Sequence, residues 1–144
     1  MLLYYYVFKN FKSKKLSIVK YLALVQGVYF FITGLWPIID IHSFMLITGP
    51  KTDIWLVKMV GALTIAISFL LFLISKKNRV TLESLVLILA SCISYLTIDV
   101  IYSLEKVINY IYLGDAALQV IFIFLWVHWL ITIRFRLRSY KLWS

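Results

Sequence analysis

An all-α membrane fold, a bundle of four transmembrane helices with both termini cytoplasmic, is what this chain of 144 residues predicts. Three observations point there. Apolar stretches at Tyr21 to Ile39, Ile54 to Ser75, Val80 to Tyr102 and Tyr112 to Ile133 hold 86 of the residues. At 19 to 23 residues each, they match what an α-helix rising 1.5 Å per residue needs to cross about 30 Å of hydrocarbon. The composition is 63% hydrophobic with a mean hydropathy of +0.95, more apolar surface than a water-soluble domain can hide. Finally, nearly all the charge falls at the joints between the stretches. The residues left over are too few for a second core, so residues 1–144 read as a single membrane domain.

The distribution of cations fixes the expected orientation. With both ends inside, twelve of the fifteen Lys and Arg residues lie on the cytoplasmic side: Lys9, Lys12, Lys14, Lys15, Lys20, Lys76, Lys77, Arg79, Arg134, Arg136, Arg138 and Lys141. The opposite side receives Lys51, Lys58 and Lys106. Cationic loops resist translocation, and anionic lipid headgroups are their expected partners. The net charge of +9 is accounted for in this way without nucleic acid.

The segment before the first stretch, Met1 to Phe8, carries Tyr4, Tyr5, Tyr6 and Phe8 and is expected to be a short interfacial arm. The first stretch is longer than the apolar region of a signal peptide. It runs into Gly34-Leu35-Trp36-Pro37 rather than a small-residue cleavage site, so it is expected to remain as a helix. Pro37 ends or kinks it. In the connection Asp40 to Asp53, Ser43 is expected to cap a short turn over Phe44 to Ile47, and Gly49-Pro50 to stop that turn. Asp53 is expected to cap the second long helix. Trp36, Trp55, Tyr102, Tyr110 and Tyr112 mark the outer boundary, and Tyr21, Trp129 and Trp143 the inner one.

Weakly polar residues fall on stripes at helical spacing: Gln26, Tyr29, Thr33 and Trp36; Lys58, Gly61, Ser68 and Ser75; Ser84, Ser91, Tyr95, Asp99 and Tyr102; Asp115, Gln119, Phe122, Trp126 and Trp129. Polar stripes in a membrane face inward. Lys58, Asp99 and Asp115 lie within about 6 Å of the outer boundary by residue count. An unpaired charge there is costly, so Lys58 is expected to pair with Asp99, Asp115 or both, with Gln119 and Tyr95 hydrogen-bonding beneath. The space bounded by Gln26, Lys58, Tyr95 and Gln119 is the candidate binding pocket.

Gly34-Leu35-Trp36-Pro37, Thr48-Gly49-Pro50-Lys51-Thr52-Asp53, Trp55-Leu56-Val57-Lys58 and the later Tyr112-Leu113-Gly114-Asp115-Ala116 resemble the signature of an uncharacterised family of small bacterial four-helix membrane proteins. The likeness covers about Gln26 to Trp126. It implies a four-helix protein of the bacterial inner membrane and transfers no activity. The family often carries an acidic residue where this chain has Gln119.

Catalytic readings lack their parts. His42 and His128 fall at opposite ends of the bundle and cannot share a metal or a haem, and His128 reads as an interfacial residue. Cys92 stands alone, without a redox partner, and reads as a small packing residue. No cofactor or hydrolase fingerprint occurs, and Ser68, Ser84 and Ser91 show no base on their own faces. The leading expectation is a non-enzymatic module binding a lipid, a small molecule, or a partner membrane subunit or second copy. A transporter or channel subunit with an outer ionic gate and a lipid-modifying enzyme are the alternatives.

Overall fold

The computed structural model describes the backbone from Leu2 to Lys141 and the side chains of residues 18–132. It is all-helical, with no strand among the described residues. The elements are α1 (Leu2–Ile39), α2 (Ile41–Thr48), α3 (Ile54–Lys77), α4 (Leu82–Leu104) and α5 (Tyr112–Lys141). Four segments are long and apolar enough to cross a membrane: Ile18–Ile39, Ile54–Lys77, Leu82–Leu104 and Tyr112–Thr132. Each coincides with a stretch read from the sequence to within a few residues, because an uninterrupted apolar run bounded by charge leaves a helix few places to stop. The expected interfacial arm falls in the first turns of α1, which is helical from Leu2. Its side chains, those of residues 134–141 and the marker Trp143 lie outside the described residues.

The chain divides into two compact units. One comprises Met1–Leu46 with Pro50–Thr81, the other Ile47–Gly49 with Leu82–Ser144.

In the first unit α1 packs against α3. The buried face of α1 carries Val19, Leu22, Ala23, Gln26, Gly27, Phe30, Gly34 and Pro37, at the three- and four-residue steps of one helical face. That of α3 carries Gly61, Thr64, Ser68, Leu71, Ile74 and Ser75. The two faces meet most closely at Gly34 and Gly61. A Cβ on Gly34 would lie 2.6 Å from the Gly61 carbonyl oxygen, and one on Gly61 would lie 2.5 Å from that of Gly34. Only hydrogen fits between the two backbones. Thr64 and Ile65 flank Gly34, and the Pro37 ring flanks Gly61.

The observed stripe on α1 differs from the expected one. Tyr29, Thr33 and Trp36 are half-buried, and the fully buried positions lie one residue further along, at Phe30, Gly34 and Pro37. The reason is that Thr33 does not need the interior. Its hydroxyl donates to the Tyr29 carbonyl at 2.8 Å, so the helix satisfies it internally. Close backbone approach at Gly34 then decides the rotation.

Pro37 lies in the last turn of α1, which ends two residues later. The chain re-enters a helix at once, and Asp40 caps it, not Ser43 as expected. The Asp40 Oδ1 accepts from the backbone N–H groups of His42 and Ser43, both at 3.1 Å, the geometry of an N-cap. Ser43 instead accepts a hydrogen bond from Trp36 Nε1 at 2.8 Å while its hydroxyl donates to the Asp40 carbonyl. Phe44 meets the Trp36 ring edge to face at 5.6 Å. These contacts fold α2 back on the end of α1. Asp53 occupies the N-cap position of α3 as expected, but its side chain makes no capping bond. Its carboxylate accepts from Thr52 instead.

In the second unit α4 packs against α5. Leu85, Ile88, Cys92, Asp99 and Ser103 are buried on α4, and Ala116, Gln119, Phe122 and Trp126 on α5. Cys92 is fully buried and in no disulfide, in keeping with a packing role. Lys106, at φ +60°, ends α4. Val107 N–H donates to the Tyr102 carbonyl and Lys106 N–H to that of Ser103, a Schellman closure with lysine where glycine is usual. Asn78, at φ 52°, ends α3 with a single αL-type closure, its N–H donating to the Ile74 carbonyl.

Gly34→Ala and Gly61→Ala are each expected to destabilise the protein by about 1–3 kcal/mol through overpacking. Gly114 has open space around it, so Gly114→Ala is expected to leave stability unchanged or raise it by about 0.5–1 kcal/mol. Thermal unfolding of the three variants in one detergent checks the order. For α2, hydrogen bonds from Ser43 and His42 hold the Asp40 carboxyl below its ordinary value of 3.8. The cap is therefore complete above that value and lost as pH falls through the lowered one. Amide exchange at His42 and Ser43 is expected to accelerate in that acid range, and at neutral pH in Asp40→Ala.

Candidate functional site

A membrane-type helix hides its polar side chains by bonding them to its own backbone. Thr64, Ser68, Ser91, Thr97 and Thr132 each donate to a carbonyl three or four residues back, at 2.6–2.8 Å. One group of side chains in the second unit departs from this pattern.

Asp99 is 6% exposed, Ser103 0% and Gln119 1%. Asp99 and Ser103 are one turn apart on α4, and Asp115 and Gln119 one turn apart on α5, so each pair stacks along a single helical face. Gln119 Nε2 donates to Asp115 Oδ1 at 2.9 Å. The Asp99 and Asp115 carboxyl groups are neighbours across the two helices. Tyr112, one turn before Asp115, places its phenol beside both carboxyl groups and bonds to Thr48. Thr48 comes from the end of α2 and is itself buried. Gly49, at φ +87°, turns the chain immediately after it, a conformation open to glycine without strain.

Three buried oxygens of this cluster have no hydrogen-bond partner: Asp99 Oδ2, Ser103 Oγ and Gln119 Oε1. The assembly is rich in oxygen acceptors, and its described members include no basic side chain. Among the described residues no group of three or more His, Cys, Asp or Glu side chains is placed to hold a metal ion.

Of the six residues singled out from the sequence, Asp99, Asp115 and Gln119 come together here. Tyr95 is half-buried one turn before Asp99. Gln26 is fully buried on the packed face of α1, in the other unit. The expected partners of Lys58 lie in the other unit. Lys58 is exposed on α3 with no ion pair among the described residues, and the neighbour of Asp99 is another carboxyl group. A lysine near the end of an apolar helix can carry its ammonium outward on its flexible stem, so proximity to the boundary did not force a partner on it. Ser103, Tyr112 and Thr48 were missed. The spacing i+4 from Asp99 and i−3 from Asp115 marks the first two, whereas nothing local marks Thr48. His128 is exposed and stacks on Phe124, and His42 is exposed on α2. Neither belongs to the cluster.

Lys58→Met is expected to change stability by less than about 0.5 kcal/mol, as for an exposed side chain without partners. In ligand-free protein, Ser103→Ala is expected to be neutral or stabilising by about 1 kcal/mol, because it removes a buried hydroxyl whose desolvation is uncompensated. Unfolding in denaturant measures both, and a large loss with Lys58→Met would restore the ion pair.

No family model, no curated protein and no solved structure matches this chain.

Proposed function

We propose that this chain is a polytopic integral membrane protein acting as a non-enzymatic binding module, and that the polar cluster of its second unit is where a small ligand is held. One observation carries the reading. In a chain whose other buried hydroxyl groups largely bond to their own helices, Asp99 Oδ2, Ser103 Oγ and Gln119 Oε1 are buried on the packed faces of α4 and α5 without partners. A buried acceptor left unmade costs about 1–3 kcal/mol, and three on one helix pair are groups a ligand would use. Enzymatic chemistry is not favoured, because Ser103 has no base bonded to it to draw off its proton.

In this reading the four apolar helices cross the membrane with both termini in the cytoplasm, following the twelve-to-three division of cations. The resemblance of the Gly34–Pro37, Thr48–Lys58 and Tyr112–Ala116 segments to small bacterial membrane proteins favours a bacterial inner membrane. Lipids are its immediate surroundings, and a partner subunit or second copy would cover the exposed apolar faces.

Two measurements test this. Because the native Cys92 is buried, cysteines introduced elsewhere report topology on a quiet background. Thr52→Cys and Glu105→Cys are expected to react with an impermeant maleimide on intact cells, and Arg79→Cys only after permeabilisation. The reverse pattern would overturn the orientation. For binding, a thermal-shift screen of salts, amines, quinones and lipids compares the wild-type chain with Gln119→Leu. At least one class is expected to stabilise the wild type and leave the variant unmoved. Equal responses throughout would sink the binding reading.

A further inference from the structure

We propose that the end of the first unit carrying Lys20, Lys76, Lys77 and Arg79 is a docking surface for anionic phospholipid. The inference rests on the membrane reading above and is independent of the ligand proposed for the second unit.

Packing brings the four cations to one end. A Cβ on Gly34 would meet Gly61, Thr64 and Ile65, and one on Gly27 would meet Leu71 and Phe72, so α1 and α3 run antiparallel. Lys20 lies seven residues before Gly27 on α1, about 10 Å along the axis. Lys76 and Lys77 lie four to six residues past Leu71 and Phe72 on α3, about 6–9 Å in the same direction. Arg79 follows directly after the turn at Asn78. All four side chains are exposed, and none makes an ion pair among the described residues.

The sign of the partner follows from the surrounding sequence. No Asp or Glu lies between Met1 and Ile39 or between Ile54 and Leu82. The acidic residues of this unit, Asp40 and Asp53, follow α1 and precede α3 at the opposite end, where Lys51 and Lys58 also lie. Glu83, the next acidic residue after Arg79, belongs to α4 of the other unit. One end of the α1 and α3 pair is therefore purely cationic, and an anion relieves the repulsion among its charges. Lys76 and Lys77 also suit the negative end of the α3 dipole. Lys20 is inside α1 and Arg79 is beyond α3, so the dipole accounts for neither.

The surface beside the cations selects a lipid over a free anion. Ile18, Tyr21, Val25, Phe69 and Leu73, on the same two helices within about two turns of the cations, are each more than half exposed. A phospholipid offers its phosphate to the cations and its acyl chains to these side chains. Inorganic phosphate would leave the apolar surface uncovered. Tyr21, beside Lys20, is the amphipathic ring that suits the headgroup level. Clustered Lys and Arg next to an apolar span are attracted to anionic headgroups within a Debye length of the leaflet.

The test follows the melting temperature of the full chain in dodecyl maltoside micelles with phosphatidylglycerol, phosphatidylcholine or inorganic phosphate added. Phosphatidylglycerol is expected to raise it saturably, phosphatidylcholine to raise it less, and inorganic phosphate to leave it unchanged. In the chain carrying Lys20→Gln, Lys76→Gln, Lys77→Gln and Arg79→Gln, the phosphatidylglycerol fraction giving half the effect is expected to rise on the order of ten-fold or more. Replacing Lys20, Lys76 and Lys77 by Arg keeps the charge and is expected to keep the wild-type response. Lys51→Gln with Lys58→Gln, at the other end, is expected to do the same. Equal action of the two lipids, or an undiminished response in the four-fold Gln variant, overturns the assignment. So does an equal loss in the Arg variant or in the Lys51 and Lys58 variant. If inorganic phosphate reproduces the whole effect, the surface binds a free anion and the lipid assignment falls. Each of these results leaves the membrane reading standing, whereas a chain recovered as a dispersed monomer without detergent removes both.

Discussion

The constraint that organises this chain is the cost of leaving a polar group without a partner inside apolar surroundings. Most of the molecule meets it in the cheapest way available, within a single helix. Backbone groups bond along the helical ladder, and the hydroxyl groups of Thr33, Thr64, Ser68, Ser91, Thr97 and Thr132 reach back to a carbonyl of their own helix. A helix whose polar groups are already satisfied is free to choose its packed face by shape. For α1 and α3 that shape is the bare backbone at Gly34 and Gly61, where the close approach of the main chains adds dispersion contacts.

The same constraint gives the second unit its character. Across α4 and α5 the Asp99 and Asp115 carboxyl groups are neighbours, and Gln119 donates to Asp115 one turn away on α5. Ser103, Gln119 and Asp99 nevertheless keep an unbonded oxygen each. A chain that satisfies a threonine within its own turn has ready means of hiding a serine in the same way. Holding three oxygens unbonded is a cost, and the proposed ligand would offset it.

The connection between α1 and α3 shows how a few side chains can settle a segment with little burial of its own. Asp40 caps α2, the Trp36 indole bonds to Ser43, and Phe44 meets the face of that indole edge-on. The turn at Gly49 follows directly, leaving Thr48 at the Tyr112 phenol. The end of a short connecting helix thus supplies one hydroxyl to the cluster.

The four long helices were legible in the sequence because their signal is additive over about twenty residues, and single errors average out. Asp99, Asp115 and Gln119 were legible as site candidates because charged or amide side chains in an apolar run are costly enough to need a reason. The rotation of α1 and the capping role of Ser43 were misread. Each depends on which of two nearby groups a side chain meets, and spacing along one helix carries no information about its neighbour. By itself the sequence determined the helices and the presence of polar groups that must be answered for. Only the tertiary structure decided which of them answer one another, because a hydrogen bond between helices depends on rotation and register, and these are set by close packing at positions such as Gly34 and Gly61.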